Sequence, residues 1–126
     1  VEQILSTFLA PMATFARQTS IYQQTTANIV SQGYQLMYVV SSHEEDFKTA
    51  LSYVQRAQFY AQIAGDSNLE AASLIRQGVV YLHRKSPHDT LLAYQKALPL
   101  VGNLSPLLRS RLYADLCEVQ GKLQLE

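Results

Sequence analysis

Ala64-Gly65-Asp66-Ser67-Asn68-Leu69-Glu70-Ala71-Ala72-Ser73-Leu74-Ile75-Arg76-Gln77-Gly78-Val79-Val80-Tyr81-Leu82 is the stretch whose reading decides the fold. It runs from a glycine turn, through a helix start, into apolar residues at helical spacing. Ser67-Asn68-Leu69-Glu70 has the form of a capping box, with Glu70 able to reach back to the Ser67 amide. Beyond it, Leu74, Gly78, Tyr81 and Leu82 share one helical face, and Ile75 and Val79 lie on an adjoining one. Apolar residues on two faces predict a helix held between two neighbours. Val79-Val80-Tyr81-Leu82 could pass for a strand, but the preceding Ala-Ala-Ser-Leu-Ile-Arg-Gln favours helix. Gly78 in mid-helix costs about 1 kcal/mol relative to alanine, so a close approach of two helices is expected there.

Working outward, a 40-residue displacement of the chain against itself sets Leu51, Gln55, Arg56 and Ala57 on Leu91, Gln95, Lys96 and Ala97. A helical unit recurring at such a period is the mark of stacked helix hairpins, each burying its apolar face against the next. Ser86-Pro87 and Ser105-Pro106 each place an N-cap serine before a proline at the first helical position. Ser41-Ser42-His43-Glu44-Glu45 reads as another start, with two registers open for the cap. Gly65 and Gly102-Asn103 tolerate the left-handed conformation at helix ends. These marks predict six helices, roughly 2–19, 21–41, 44–64, 68–84, 87–101 and 105–124. Pro11 either begins the main part of the first helix or kinks it, and Pro99 distorts the last turn of the fifth. Stripes of Phe47, Leu51, Val54, Ala57 and Ala61, and of Leu91, Tyr94, Ala97, Leu98 and Val101, complete an all-α reading.

The chain has 126 residues, enough for one domain of about three helical layers. Ten Lys and Arg balance ten Asp and Glu, so no basic footprint for nucleic acid or an anionic membrane exists. Only 16% of residues are charged, which predicts apolar surface shared with another chain or another part of a longer one. No apolar run approaches the roughly 18 residues of a membrane span. One cysteine, Cys117, excludes an internal disulfide and favours a reducing, cytoplasmic setting. The chain starts at Val1 without Met or a basic leader, so a fragment of a larger intracellular protein is expected. Leu125-Glu126 reads as native or as a cloning scar.

The central residues resemble the tetratricopeptide repeat, a helix-turn-helix unit with large, small and aromatic residues at fixed offsets. Leu74, Gly78 and Tyr81 take the large, small and aromatic positions of a helix A. Thr90, Tyr94 and Ala97 take the small, aromatic and small positions of a helix B. The unit before it matches through Ala50, Val54 and Ala57, and poorly around Tyr34 and Tyr38. Tyr113, Leu116 and Cys117 open a third helix A, with Gln120 at the aromatic position. The resemblance spans residues 31–124: a divergent first repeat over 31–64, the best over 71–104, and the start of a third over 105–124. Residues 1–30 are left as N-terminal helices or a cap. The stretch 64–82 is most like the divergent repeats of large bacterial regulators.

The resemblance implies a short right-handed superhelix of antiparallel hairpins that forms a single domain. The period of 39 to 40 residues exceeds the family's usual ~34, which implies longer turns around Gly65–Leu69 and Gly102–Leu104. It implies further that a protein or peptide lies in the groove lined by the A helices. Carried over by position, Gln32, Gln35 and Val39, then Ala72, Ile75, Arg76, Val79 and His83, then Arg111, Asp115, Glu118 and Lys122 face that groove. The Lys/Asn arrangement that grips chaperone C-terminal carboxylates is absent, its places in the central unit being held by Ala72, Ile75 and Val79.

No glycine-rich phosphate loop, paired acid/base motif or Ser/His/Asp order is present, so neither an enzyme nor a cofactor is expected. His43, His83 and His88 read as surface or turn histidines, since no Cys or second carboxylate completes a metal set. Cys117 reads as a buried, inert thiol, with no histidine placed to activate it. Glu44-Glu45-Asp46 suits the positive start of a helix. Arg109 and Arg111 form a solvated basic face or hold an anionic group. Tyr34, Tyr38 and Tyr81 offer amphipathic area to a peptide. The expected function is therefore a protein or peptide interaction scaffold. The alternatives are a ligand- or peptide-sensing domain of a transcriptional regulator, with no nucleic-acid contact of its own, and a homodimerisation module. The last would use the C-terminal helix, where Leu107, Leu108, Leu112, Tyr113, Leu116, Cys117, Val119 and Leu123 spread around much of the circumference.

Overall fold

In the computed structural model residues 2–17 and 22–125 are described. They form six α-helices: α1 (Glu2–Arg17), α2 (Gln23–His43), α3 (Phe47–Ala64), α4 (Ser67–His83), α5 (Pro87–Ala97) and α6 (Pro106–Leu125). No strand occurs among the described residues. Each helix packs on the next, and α4 also touches α2 and α6. The hairpins α2–α3 and α4–α5 thus stand side by side, with α1 against the first and α6 opening a further layer. No described helix is long and apolar enough to cross a membrane. The expected junction between the first two helices, and Glu126, lie outside the described residues.

The 40-residue period is repeated in the turns. After α2 the Glu45 and Asp46 amides donate to the Ser42 and Ser41 carbonyls at 3.0 and 2.9 Å. After α4 the Lys85 and Ser86 amides donate to Leu82 and Tyr81 at 3.0 and 2.8 Å. Both turns pass through a left-handed residue, Glu45 at φ 59° and Lys85 at φ 57°, as a Schellman ending requires. Gly65, at φ 67°, ends α3 in the same way, as expected. Gly102-Asn103 does not. Pro99 has no amide to continue the ladder, so α5 stops at Ala97 and tightens into a 3₁₀ segment over Leu98–Asn103.

Helix starts differ from the expected ones because aspartates outcompete serines. Asp46 and Asp66 cap α3 and α4, accepting from the Thr49 and Leu69 amides at 3.2 and 3.0 Å. A carboxylate is the stronger acceptor at the positive end of a helix. The Thr49 contact holds the Asp46 carboxyl below its ordinary range. Ser67 is accordingly the first residue inside α4, and no capping box forms. Ser86 donates its hydroxyl to Asp89 instead of capping the backbone, whereas Ser105 accepts from the Leu108 amide at 3.4 Å. In the first repeat the extra length is absorbed in the helices, since only Gly65 and Asp66 separate α3 from α4, whereas the expected longer turn around Gly102–Leu104 is present, residues 98–105 lying between α5 and α6.

The close approach expected at Gly78 is present. A Cβ built there would sit 2.2 Å from Cε1 of Tyr94, and the Thr90 hydroxyl donates to the Gly78 carbonyl at 2.9 Å. Tyr94 is 2% exposed and shares a core with Leu74, Ala97, Leu112 and Val119. The first hairpin has its own core of Val30, Tyr34, Met37, Ala57 and Tyr60, closed from the other side by Leu9 and Ala13 of α1. Tyr34 stacks on Tyr53 and Tyr60 with centroids 6.2 and 6.0 Å apart; it is a core residue, not one offered to a peptide. Cys117 is exposed, contrary to the expectation, because α6 buries only the stripe of Leu112, Leu116 and Val119.

Candidate functional site

The site is built from the A-type helices α2, α4 and α6. Their N-terminal ends are joined by two asparagines 40 positions apart, Asn28 as a donor and Asn68 as an acceptor. The Asn28 amide donates to the Asp66 carboxylate at 2.8 Å, tying α2 to the cap of α4. Forty residues later the Asn68 side chain accepts from the Ser105 amide at 2.9 Å, tying α4 to the cap of α6. Asp66 therefore has two duties, one carboxylate oxygen for Leu69 and one for Asn28. Asp66→Ala is expected to destabilise the chain by about 1–2 kcal/mol, from the lost cap and an unpaired amide. Asp66→Asn keeps an acceptor and should recover about half. Urea unfolding of both variants measures the difference.

Alongside these ties the three helices leave a trough of connected recesses. Between α2 and α4 lies a volume of about 260 Å³ lined by Gln32, Gln35, Leu36, Val39, Leu69 and Arg76. Between α4 and α6, Tyr38, Ala72, Ile75, Arg76, Val79, Leu108 and Arg111 line about 330 Å³. Toward the helix N-termini the trough widens to about 570 Å³, with Leu69, Ala72, Leu107, Leu108 and Arg111 in its wall. Shared walls make these recesses one surface: Arg76 belongs to the first two, and Ala72, Leu108 and Arg111 to the last two.

Arg76 lies at the centre. Its Nη1 donates to the Gln35 carbonyl at 3.4 Å, and its Cζ stands 5.4 Å from the centroid of the Tyr38 ring. Burial, with the nearby Arg111 charge acting in the same direction, lowers its guanidinium from the usual range. Gln35 is 6% exposed and is used to brace the helices, its amide donating to Leu69 O and Ser73 Oγ at 3.4 Å. Arg111 pairs through Nε with Asp115 at 2.9 Å.

Of the residues placed in the groove by sequence, Gln32, Gln35, Val39, Ala72, Ile75, Arg76, Val79 and Arg111 are brought together here. His83 is not among the lining residues. Its ring stacks on Phe47 of α3, with centroids 4.7 Å apart and planes 8° from parallel, which turns it toward the other hairpin. Asp115 turns its carboxylate to Arg111, and Glu118 pairs with Lys122 at 3.5 Å on the exposed surface of α6. Neither lines the trough, and Tyr81 does not either. Leu36, Leu69, Leu107 and Leu108 also line the trough, outside the positions that the resemblance marks, and Leu108 packs at the same time against the core of Leu74, Tyr94 and Leu112. Among the described residues, no group of three or more His, Cys, Asp or Glu side chains is placed to hold a metal ion. No protein-family model, no curated protein and no solved structure matches this chain.

Proposed function

We propose that this chain is an interaction scaffold of the tetratricopeptide kind and that the trough across α2, α4 and α6 receives a peptide or a segment of another protein. The observation that carries the reading is the trough itself. Its walls mix apolar side chains with Gln32, Gln35, Asp66 and Arg111, it runs across three helices, and it has one half-buried arginine at its centre. Apolar walls supply association energy through burial, and a few polar groups supply register. The reading includes the right-handed stacking of the hairpins and a cytoplasmic setting within a larger bacterial protein. The test is selection of displayed random peptides on the immobilised chain, followed by titration of a selected peptide. Val79→Glu or Leu108→Glu should weaken its binding at least tenfold while the helical circular dichroism stays unchanged. Binding unaffected by both would end the reading.

A second reading, self-association through α6, is favoured by its outer side, where Tyr113 is 47% and Leu125 90% exposed. Light scattering that shows only monomer up to high concentration would dismiss it.

A further inference from the structure

We propose that Arg76 is the specificity contact of the trough and that its occupant is an acidic-apolar segment of a partner protein, with a carboxylate side chain seated on Arg76 between apolar neighbours. The inference rests on the groove reading above and adds the chemistry of the ligand.

Arginine carries five N–H donors in a planar fork. At Arg76 one of them meets a protein acceptor, the Gln35 carbonyl, and that contact is long at 3.4 Å. The ion pairs among the described residues are Arg111 with Asp115 and Lys122 with Glu118; no carboxylate is paired with Arg76. The other arginine that lines the trough, Arg111, is paired with Asp115, and Arg109, bonded to the Leu104 carbonyl at 3.1 Å, is not among the lining residues. A half-desolvated guanidinium has lost part of its hydration without a counter-charge in return. An arriving carboxylate would supply that charge, accepting two parallel N–H bonds. The Tyr38 ring, its centroid 5.4 Å from Cζ, holds the cation at this place in the trough.

The surroundings favour an acidic-apolar protein segment over a nucleic acid. On the α2 side Leu36 is 58% and Val39 37% exposed, and on the α6 side Leu107 and Leu108 face the same trough. Exposed apolar side chains on both sides of one cation match an acidic residue flanked by apolar ones. A nucleic acid would need a row of cations to replace released counterions. This trough offers one arginine without a carboxylate partner, and the carboxylate in its wall, Asp66, is already bonded to Asn28 and Leu69.

The experiment is a random displayed-peptide selection on the wild-type chain, Arg76→Met and Arg76→Lys. Wild type should enrich peptides with Asp or Glu between apolar residues. Arg76→Met should keep the apolar preference and lose the acidic one, and Arg76→Lys should retain the acidic one. Changing the glutamate of a selected peptide to glutamine should weaken wild-type binding about tenfold and leave Arg76→Met binding unchanged. That swap is read on the unmodified chain, so the test holds even if Arg76→Met misfolds. Peptides enriched without an acidic preference, or with one that survives in a folded Arg76→Met, would overturn this inference and leave the groove reading standing. If no peptide is enriched, both fail together.

Discussion

Gly78→Ala is expected to destabilise this chain by about 1–3 kcal/mol, although the same change in an open helix stabilises by about 1 kcal/mol. The sign reverses because of what stands opposite. The new Cβ would fall 2.2 Å from Cε1 and 2.8 Å from Cζ of Tyr94, and an aromatic ring cannot bend away as the end of a long side chain can. Tyr94 is 2% exposed and is held by residues of α4, α5 and α6, so relieving the clash means moving a helix. Burial pushes its phenol up to about 12. Gly33 is the control. A Cβ there would meet Leu9 Cδ2 at 2.5 Å, the flexible end of a side chain on α1, and Gly33→Ala should be near neutral. Adding Tyr94→Leu to Gly78→Ala should return part of the loss, a coupling that a double-mutant cycle in urea would measure. Stabilisation by Gly78→Ala alone would show that α4 and α5 are farther apart than described.

Leu112→Ala is expected to cost about 2–5 kcal/mol and to release α6 before the rest of the chain. Leu112 is fully buried in the core it shares with Leu74, Tyr94 and Val119. In α6, Leu116 and Val119 are its only buried companions, so a single truncation removes a large share of the docking contact. The loss should appear in hydrogen exchange as early opening over residues 106–125 while α2 and α3 keep their protection. Because Leu108 and Arg111 form one wall of the trough, a selected peptide should lose affinity in the same variant. Uniform exchange along the chain would mean that the helices unfold as one unit. Peptide binding that persists after α6 has opened would confine the groove to α2 and α4.

Much of the architecture can be read along the chain. The helix over 67–83, the turn at Gly65, the break at Pro99 and the close contact at Gly78 each depend on residues a few positions apart. The resemblance to the repeat, carried over by position, adds Val39, Arg76, Val79 and Arg111, which line the trough. Reading stops where two residues far apart compete or cooperate. Ser67 and Asp66 are both acceptable caps by composition. Asp66 prevails with a charged acceptor and, from α2, the Asn28 amide, which is 38 positions away. His83 has the register of a groove residue, yet the ring of Phe47 draws it to the other hairpin. Glu45 and Lys85 adopt the left-handed conformation that glycine signals elsewhere, because each turn is held by two backbone bonds.

By itself, then, the order of residues determined six amphipathic helices and their period of 40. Periodicity, proline and glycine act over a single turn of chain, where geometry is local. The tertiary structure alone decided that Arg76 stands half-buried without a carboxylate, that Tyr34 belongs to the core, and that Cys117 meets solvent. Burial and charge pairing depend on which helix comes to lie alongside, and that is a property of packing.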